Sequence, residues 1–543
     1  MSKKFIIRDP FGLHREGVIK AKGYAMWRDN ILATRHVSDS LKTSYGPKGM
    51  KKLVTDKFGE TALTNHGFII LDKMDFHHPV GKLLREAAKT VDTSVGDGTK
   101  AAIILVGEML YRTDKLVAQN MRVGNVLQGY LNAYRTAMKS LQELSRPVDV
   151  LNVETLKRII HRLFAARGLE DCEYLSELAS RAILSALKKS GDRMVVDREG
   201  LRVVKKLGGV LRDSQLVDGV VLDKQIAHPA MPRKLENAKI ALLNIALKLD
   251  EFRYLQPYKY QINITHPTLV NQLLDEENKI IQRLVDKILS TGANVVITRK
   301  KMDPAAKQLL ARAGAIGISR LLEEEVFTYT AKVTGARVVS SVEELGAQDL
   351  GHAESVAEEK IGGNPIVVIR GVKNAGGATL LLRGSSERVI DEVEHAFNDA
   401  VRYVSALLEE PAVVPGGGAV EMALASAVER EAFRHHGVEQ EAMLMFADCL
   451  RAFPKILAEN AGHDPLDVLS QLKALHADGR RQHGFDVFSG KIGDMFDAGI
   501  VESTRLKKQV LTTAFETASM LLRIDEIVDR RTAKRHEGEP GGQ

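Results

Sequence analysis

Three glycine-bearing loops are the parts of this 543-residue chain whose residue types suit phosphate binding. They lie at residues 46–49, 96–99 and 416–418, and each is predicted to precede a helix. The start of a helix presents unpaired N–H groups and the positive end of a dipole, and glycine lets a ligand approach the backbone closely. None of the loops has P-loop spacing or follows a strand as in a dinucleotide fingerprint. Because glycine-rich turns before helices are common, each loop by itself is only a weak indication of a nucleotide site.

Two carboxylates add chemistry to these loops. Asp97 stands between Gly96 and Gly98 with no bulky neighbour beside it, and so it presents a carboxylate. Such a group suits Mg²⁺, which proteins hold with one or two carboxylates together with substrate phosphates. Asp399 is a lone acid on a predicted helix over residues 391–408, and its pattern alone indicates a solvated helix carboxylate.

The first third of the chain, which must position two of the loops, is predicted to be helical. Its apolar residues recur near one face of each segment, and Gly46 and Pro47 end the first helix. The predicted elements are helices over residues 29–41, 82–91 and 101–110 and a hairpin of strands over residues 51–55 and 60–64.

The middle of the chain has a different character. Over residues 220–369 short β-rich runs alternate with amphipathic helices, which is typical of an α/β domain. The predicted elements are a strand over 239–247, a helix over 267–290 capped by Gly292, and a strand over 294–298. One apolar stripe is predicted on that helix, formed by Leu269, Leu273, Ile280, Ile281, Leu284 and Ile288. Long helices return from residue 391, so we predict a multidomain α+β fold whose helical ends pack together around an inserted α/β domain.

Length and composition exclude several classes of protein. The chain is too long for one hydrophobic core, and no stretch approaches the roughly 20 apolar residues of a membrane helix. The first residues show no signal peptide, and Cys172 and Cys449 form neither a disulfide framework nor a zinc motif, so a cytoplasmic location is expected. The net charge of +7 is small and aromatic residues make up only 5%, so neither nucleic acid nor membrane is an expected partner. The polar end, residues 531–543, is predicted to be disordered.

The loops and their surroundings together resemble group II chaperonins, the thermosome-like and TRiC-like proteins. Two of the motifs are Val95-Gly96-Asp97-Gly98-Thr99 and Val414-Pro415-Gly416-Gly417-Gly418. The agreement is collinear over nearly the whole chain, which makes it specific. It also covers residues 30–33, 44–50, 63–67, 391–394, 398–400 and 521–525 in the helical ends, and 220–224, 228–232, 236–243, 275–277 and 291–296 in the middle.

The resemblance implies a division into three domains. These would be an equatorial ATPase domain (1–148 and 402–530), an intermediate domain (149–218 and 370–401) and an apical substrate-binding domain (219–369). A built-in lid, about residues 249–284, would replace a separate co-chaperonin, so none is expected. The resemblance further implies an ATP-dependent chaperone that encloses unfolded polypeptides. It would assemble as two stacked rings, 16 subunits in all, with ATP and Mg²⁺ as cofactors.

Site residues follow from the same resemblance, position by position. Asp399 would activate the attacking water and Asp97 would bind Mg²⁺. Because Asp399 would lie in the intermediate domain, hydrolysis would require that domain to close over ATP. The other implied nucleotide-binding residues are Ser44, Tyr45, Gly46, Pro47, Asn65, Gly67, Gly96, Gly98, Thr99, Lys100, Ala101, Arg167, Gly417, Asp486, Val487 and Glu502, of which Gly417, Asp486 and Glu502 would line the adenosine.

The chain departs from the family pattern in four places. His66 stands where the family has an aspartate that helps to position the water, so either turnover is slower or His66 shares that catalytic role as a neutral imidazole. Lys100 replaces a threonine and adds a charge near the phosphates, and Arg167 replaces the lysine of a nucleotide-sensing Gly-Lys-Gly turn. The Gly-Gly-Met repeats common at the C-terminus of the family are missing. These changes indicate a divergent branch, such as the bacterial members called group III.

Two other functions stay open at this point. The first is a chaperonin-like subunit that binds ATP but turns it over slowly and acts as a holdase or scaffold, a possibility that His66 keeps alive. The second is a small-molecule kinase that reuses the phosphate loops, although the middle domain offers no recognisable acceptor site.

Overall fold

The computed structural model describes residues 18–22, 24–56, 59, 61–76, 78–118, 121–191, 193–248, 267–372 and 377–530, which belong to two compact units. The first unit contains both ends of the chain, Met1–Leu169 and Asn398–Gln543, and the second contains the middle, Glu170–Phe397. The helical ends therefore share one unit. The finer division into three domains, with the boundaries given above, stays a prediction.

Helices make up most of the first unit and flank the sheet of the second. Several begin at a side-chain cap: Asn152 accepts hydrogen bonds from the backbone N–H groups of Glu154 and Thr155, which satisfies donors that a helix start leaves unpaired. In chain order the helices are α1 (Tyr24–Lys42), α2 (Gly67–Lys73), α3 (Pro79–Val95), α4 (Thr99–Ala118), α5 (Val123–Leu144), α6 (Val153–Ala166), α7 (Cys172–Ser185), α8 (Pro267–Ser290), α9 (Pro304–Arg312), α10 (Glu324–Thr334), α11 (Glu387–Glu409), α12 (Ala419–Ala432), α13 (Val438–Asn460), α14 (Pro465–Ala477) and α15 (Thr504–Leu522).

The strands form one large sheet in the second unit and several small sheets, of which the pair β5 and β6 also lies in the second unit. In chain order they are β1 (Val18–Lys22), β2 (Lys52–Thr55), β3 (Thr61–Thr64), β4 (Arg146–Pro147), β5 (Leu187–Ser190), β6 (Arg193–Val196), β7 (Leu201–Leu207), β8 (Gln215–Leu222), β9 (Lys234–Leu243), β10 (Val295–Thr298), β11 (Ile316–Ile318), β12 (Val338–Val339), β13 (Gly351–Ile361), β14 (Asn364–Val372), β15 (Ala378–Gly384), β16 (Ala412–Pro415), β17 (His483–Asp486), β18 (Lys491–Asp494), β19 (Val501–Ser503) and β20 (Glu526–Arg530).

The first unit is a helical bundle with α4 at its centre. Side chains at residues 101–106 of α4 are all buried, which is the pattern of a helix surrounded by protein on every side. Helices α1, α3, α13 and α15 pack against α4, and α12 packs against α5 and α13. Small antiparallel pairings lie beside the helices: β1 with β20, β2 with β3, β17 with β18, and β16 between β4 and β19. The bundle thereby holds the glycine-bearing loops at the ends of its helices.

The second unit is built on a nine-stranded sheet in the order β11-β10-β9-β13-β14-β8-β15-β7, with β12 also paired to β9. Val295 of β10 pairs in parallel with Ile240 of β9 and with Ile316 of β11, and all three side chains are buried. Parallel strands covered on both faces need continuous apolar runs, which the sequence supplies here. Ile281 and Ile288 of α8 enter the same hydrophobic core.

Several predictions about individual elements are confirmed and three are corrected. The glycine loop at residues 46–49 does not precede a helix, because the next element after it is the strand β2. The helix over 267–290 is confirmed as α8, and the hairpin as β2 and β3. The strand over 239–247 is wrong at both ends, because β9 runs from Lys234 to Leu243 and its first half pairs with the distant β13. Ile280, assigned to the buried stripe of α8, is 37% exposed. A helix of 3.6 residues per turn cannot turn both Ile280 and Ile281 fully toward one core.

Two predictions fall outside the described residues. They are the first part of the lid, residues 249–266, and the disordered end, residues 531–543. Among the helices that are described, none is both long enough and apolar enough to span a membrane.

Candidate active site

The loop between α3 and α4 presents a carboxylate beside the start of a long helix. Gly96 ends α3 in the left-handed conformation, with φ +72°, and donates its N–H to the carbonyl oxygen of Asp92. A Cβ at Gly96 would lie 2.7 Å from Cβ of Arg402 and 2.8 Å from the carbonyl oxygen of Asp399, so only glycine lets α11 approach this closely. Asp97 is exposed, and its Oδ1 accepts a hydrogen bond from the N–H of Gly98 at 2.7 Å.

The turn after α1 is tied to two other helices of the first unit. Asn460, at the end of α13, donates from Nδ2 to the carbonyl oxygens of Lys42 and Tyr45, each at 2.8 Å. Lys100 in the first turn of α4 donates from Nζ to the carbonyl oxygen of Ser44 at 2.6 Å. Ser44 is buried, and the turn continues through Gly46 and Pro47, where the N–H of Gly49 donates to the carbonyl oxygen of Gly46. The predicted residues 44–47 therefore adjoin the predicted residue Lys100.

The segment before α2 touches the same place. A Cβ at Gly67 would lie 2.7 Å from Cγ of Lys100 and 3.3 Å from Cβ of Thr99. Asn65 is buried and donates from Nδ2 to the carbonyl oxygen of Ala166 at 3.4 Å. Thr99 and Ala101 are also buried, and Oγ1 of Thr99 has no hydrogen-bond partner within the described part of the chain. These three loops thus meet around the start of α4.

Asp399 lies in a cluster of charged side chains that come from α3, from α11 and from the cap residues of α2 and α6. Its Oδ2 is 3.0 Å from Nε2 of His66 and also pairs with Arg167, while its Oδ1 is 3.2 Å from Nη1 of Arg402. Asp92 joins the cluster, because its Oδ1 is 3.2 Å from Nε2 of His66 and its Oδ2 is 2.7 Å from Nη1 of Arg402. The side chain of Asp399 is 10% exposed and that of Asp92 is 5% exposed.

The cluster shifts the acidity of both His66 and Asp399. Burial works to lower the pKa of His66, but its contacts with Asp399 and Asp92 outweigh burial and raise the pKa. Burial works to raise the pKa of Asp399, but Arg167 and His66 outweigh it and lower the pKa. Asp399 is therefore a carboxylate held in its ionised form by neighbouring cations and donors.

The hydrogen bonds of His66 determine which ring nitrogen carries the proton. His66 caps α2, and its Nδ1 accepts from the N–H of Ile69 at 3.3 Å. A neutral ring that accepts at Nδ1 carries its hydrogen on Nε2, which faces Asp399 and Asp92. The imidazole therefore directs its N–H toward the two carboxylates, of which Asp399 is the nearer. The catalytic role of His66 stays a prediction, and its chemistry would be that of a hydrogen-bond donor to Asp399.

The same three side chains are of metal-ligating types. One donor atom each from His66, Asp92 and Asp399 lies within 4.8 Å of the others. A ligating histidine would bind through Nε2 and donate from its other nitrogen, whereas Nδ1 of His66 accepts a hydrogen bond. Arg167 and Arg402 also occupy carboxylate oxygens that a cation would need. We therefore interpret these side chains as a hydrogen-bonded cluster.

The third glycine loop meets a different set of predicted residues. Phe485 donates its N–H to the carbonyl oxygen of Gly417 at 2.8 Å, and a Cβ at Gly417 would lie 2.6 Å from the carbonyl oxygen of Phe485. Asp486 and the buried Val487 follow directly, and Oδ1 of Asp486 accepts from the N–H of Phe488. Pairing of β16 with β19 places Glu502 opposite Val414, just before this loop. The structure thus brings Gly417, Asp486, Val487 and Glu502 together.

A buried lysine pairs with Glu502 of this set and with Glu421 in the first turn of α12. Nζ of Lys507 lies 2.6 Å from both Glu421 and Glu502, and its side chain is 5% exposed. Burial works to lower the pKa of Lys507, but the two glutamates outweigh burial and raise it. Burial raises the pKa of the Tyr45 phenol, and the positive charge of Lys507 works to lower it.

Sequence reasoning missed four residues of this site: Asp92, Arg402, Asn460 and Lys507. Only Arg402 had a usable signal, because it lies three residues after Asp399 on a predicted helix, a spacing at which side chains meet. The other three are ordinary polar residues of helices until packing shows what they contact.

Comparison with known proteins identifies the family of this chain. Residues 37–532 match the TCP-1/cpn60 chaperonin family. The chain is 40% identical over 517 residues to a thermosome subunit of Methanopyrus kandleri, with 95% of this chain and 94% of that protein covered. It is 39% identical over 521 residues to the thermosome subunit beta of Aeropyrum pernix, with 96% of this chain and 94% of that protein covered. It is 37% identical over 538 residues to the thermosome subunit alpha of Archaeoglobus fulgidus, with 98% of each covered. The chain therefore belongs to the TCP-1/cpn60 chaperonin family, as its motifs predicted, and is an ATP-hydrolysing chaperonin subunit of multidomain α+β fold that promotes the folding of polypeptides.

Proposed function

We propose that MgATP binds where the loops at residues 46–49, 65–67 and 96–99 meet around the start of α4, and that Asp399 orients the water that attacks the terminal phosphate. The observation that carries this proposal is the close packing of Gly96 on α11, with a Cβ position 2.8 Å from the carbonyl oxygen of Asp399. That packing holds the backbone of Asp399 next to the loop that carries Asp97. The arrangement supports hydrolysis at the nucleotide and not a holdase that only binds it.

The residues at the start of α4 fit a metal-bound phosphate. Asp97 is exposed between two glycines, and Oγ1 of Thr99 is a buried oxygen without a hydrogen-bond partner in the described residues. Asp97 would hold Mg²⁺, which neutralises phosphate charge when bound. Backbone N–H groups of the first turn of α4 would donate to phosphate oxygens. Lys100 would add a positive charge there, since its Nζ lies at the neighbouring carbonyl of Ser44.

The hydrogen bonds of Asp399 leave room for a water. A carboxylate offers about four lone-pair positions. Oδ2 receives His66 and Arg167, whereas Oδ1 receives Arg402 alone among the residues that the structure describes. One position on Oδ1 therefore stays available for the attacking water. Because its lowered pKa makes Asp399 a weak base, its contribution is the orientation of that water more than the removal of its proton.

Membership of the chaperonin family also supports a proposal about how several copies of this chain assemble. We propose a double ring of eight subunits per ring that encloses unfolded polypeptides in the cytoplasm, with residues 249–284 as a built-in lid in place of a co-chaperonin. End-on electron micrographs of the purified protein test the ring size. A single ring, or a monomer by light scattering with ATP present, contradicts this proposal.

Substitution of the two acids tests the hydrolytic site. We expect Asp399→Asn to lower kcat by about 10²–10⁴ while ATP binding is retained, because only water orientation is lost. Asp97→Asn is expected to weaken MgATP binding itself, because a metal-bearing carboxylate is removed. Phosphate release and equilibrium binding of a nucleotide are measured for both variants, with exposed Asp478→Asn as the control. Near wild-type hydrolysis by Asp399→Asn would refute the assignment. A wild-type protein that releases no phosphate above background would instead support the holdase.

A further inference from the structure

Asp92 occupies the centre of the contacts that surround Asp399. Its carboxylate lies 3.2 Å from Nε2 of His66 and 2.7 Å from Nη1 of Arg402. Its main-chain oxygen accepts the N–H of Gly96 at 2.9 Å. One residue of α3 therefore touches the glycine loop and two of the three side chains that hold Asp399.

The hydrogen on Nε2 of His66 has two acceptors within reach. Oδ2 of Asp399 lies at 3.0 Å and Oδ1 of Asp92 at 3.2 Å. Oδ1 of Asp92 is buried and has no hydrogen bond of good geometry within the described part of the chain. A buried carboxylate oxygen without a donor is unfavourable, so Asp92 attracts the imidazole toward itself.

The carboxylate of Asp92 is one of two acidic side chains in the cluster. Two carboxylates, Asp92 and Asp399, face the guanidinium groups of Arg167 and Arg402 around the imidazole. Lys100 adds a further cation from α4, since it packs against Gly67, the residue after His66. Without the charge of Asp92 the cations would act on Asp399 alone, and Arg402 would lose the partner at 2.7 Å that sets its position.

We propose that Asp92 is a positioning residue for ATP hydrolysis: it holds His66 and Arg402 in place, and these two orient the carboxylate of Asp399 toward the water. This inference rests on the proposed role of Asp399. It assigns no contact between Asp92 and the nucleotide, and so it separates the orientation of the water from the binding of ATP.

The test is a double-mutant cycle of Asp92→Asn with His66→Asn, measured on the assembled protein. Asparagine at position 66 can still cap α2, because it is among the preferred capping residues, but it is too short to reach the two carboxylates as the imidazole does. We expect each single variant to lower kcat by about 10–100-fold, as for other residues that orient a functional group, with KM changed less than about threefold. The double variant is expected to be no more than about threefold slower than the slower single variant, because both act through the same contact.

The pH profile of kcat provides a readout that a merely structural role would not move. Asp92 and Asp399 both raise the pKa of His66, so its titration is expected at lower pH in Asp92→Asn than in the wild type, and it is expected to vanish in His66→Asn. Multiplicative effects in the double variant, or a midpoint that stays in place in Asp92→Asn, would overturn the proposal.

A further variant keeps the test decisive where Asp92→Asn does not assemble. Arg402→Lys changes the other partner of Asp92 and leaves α3 intact. The side chain of Arg402 is 31% exposed, so this substitution disturbs the fold less than one at the buried Asp92. It is expected to lower kcat with little change in KM, and to combine non-multiplicatively with His66→Asn. Wild-type kcat in Arg402→Lys would count against the proposal. If Asp399→Asn hydrolyses ATP at the wild-type rate, the proposed role of Asp399 is wrong. If Asp399→Asn is slow but the variants at Asp92 and Arg402 have the wild-type kcat, the role of Asp399 stands and that of Asp92 is wrong.

Discussion

Replacement of Gly96 by alanine tests whether the contact between the glycine loop and α11 creates the hydrolytic site. Gly96 has φ +72°, and the added methyl group would lie 2.7 Å from Cβ of Arg402 and 2.8 Å from the carbonyl oxygen of Asp399. Both atoms belong to the framework of a helix and cannot swing aside as the end of a flexible side chain could. The loop and the helix must therefore move apart.

The expected loss of stability has two parts. An L-residue in the left-handed region costs roughly 1–2 kcal/mol. Forcing a methyl group into a packed contact typically costs about 1–3 kcal/mol more. Gly96→Ala should therefore lower the free energy of unfolding by roughly 2–5 kcal/mol. A shift of Asp399 by about 1 Å relative to the phosphates is expected to lower kcat by about 10².

Gly462→Ala is the matched control. Gly462 follows α13 with φ +80°, and a Cβ there would meet nothing within 4 Å, so this variant carries only the conformational part, roughly 1–2 kcal/mol. Urea unfolding at one protein concentration and steady-state phosphate release are measured for both variants. The reasoning is refuted if Gly96→Ala is as stable as Gly462→Ala and hydrolyses ATP as fast.

Three further predictions concern charges and the lid. Burial lowers the pKa of Lys100 from 10.5 to about 8. The folded protein therefore loses this proton at a lower pH than the unfolded chain does, and the contribution of Lys100 to the free energy of unfolding rises with pH between about 8 and 10.5. MgATP affinity is expected to fall as pH rises through about 8 in binding titrations, and this fall should be absent in Lys100→Met. Lys507→Met leaves the buried Glu421 and the partly buried Glu502 without their cation and is expected to lower the free energy of unfolding by about 3–5 kcal/mol in urea, against about 0–1 kcal/mol for Lys508→Met, whose ion pair is more exposed. Deletion of residues 250–276 is expected to abolish protease protection of an enclosed client, and unchanged protection would contradict the built-in lid.

Local features of the fold were predictable because neighbouring residues carry their signals. The apolar period of α8 indicated a helix from Pro267 to Ser290, and those are its ends. The hairpin of β2 and β3 was equally visible in its short β-rich runs. The first half of β9 was not visible, because Lys234 and the residues after it are strand only through pairing with β13, more than 100 residues away.

The sequence alone determined the family and the positions of the glycine loops. Gly96 and Gly417 adopt positive φ angles that glycine permits, and a glycine is visible in the sequence without knowledge of the fold. Tertiary structure alone decided what holds Asp399. The partners of that carboxylate, His66 and Arg167, lie 333 and 232 residues earlier in the chain, and no local pattern links residues so far apart. The proton position on His66 was likewise decided by folding, because it depends on a backbone N–H at one nitrogen and two carboxylates at the other. The roles of such polar residues are set by which groups packing brings within hydrogen-bond distance, whereas helix period and glycine conformation are set within a few residues.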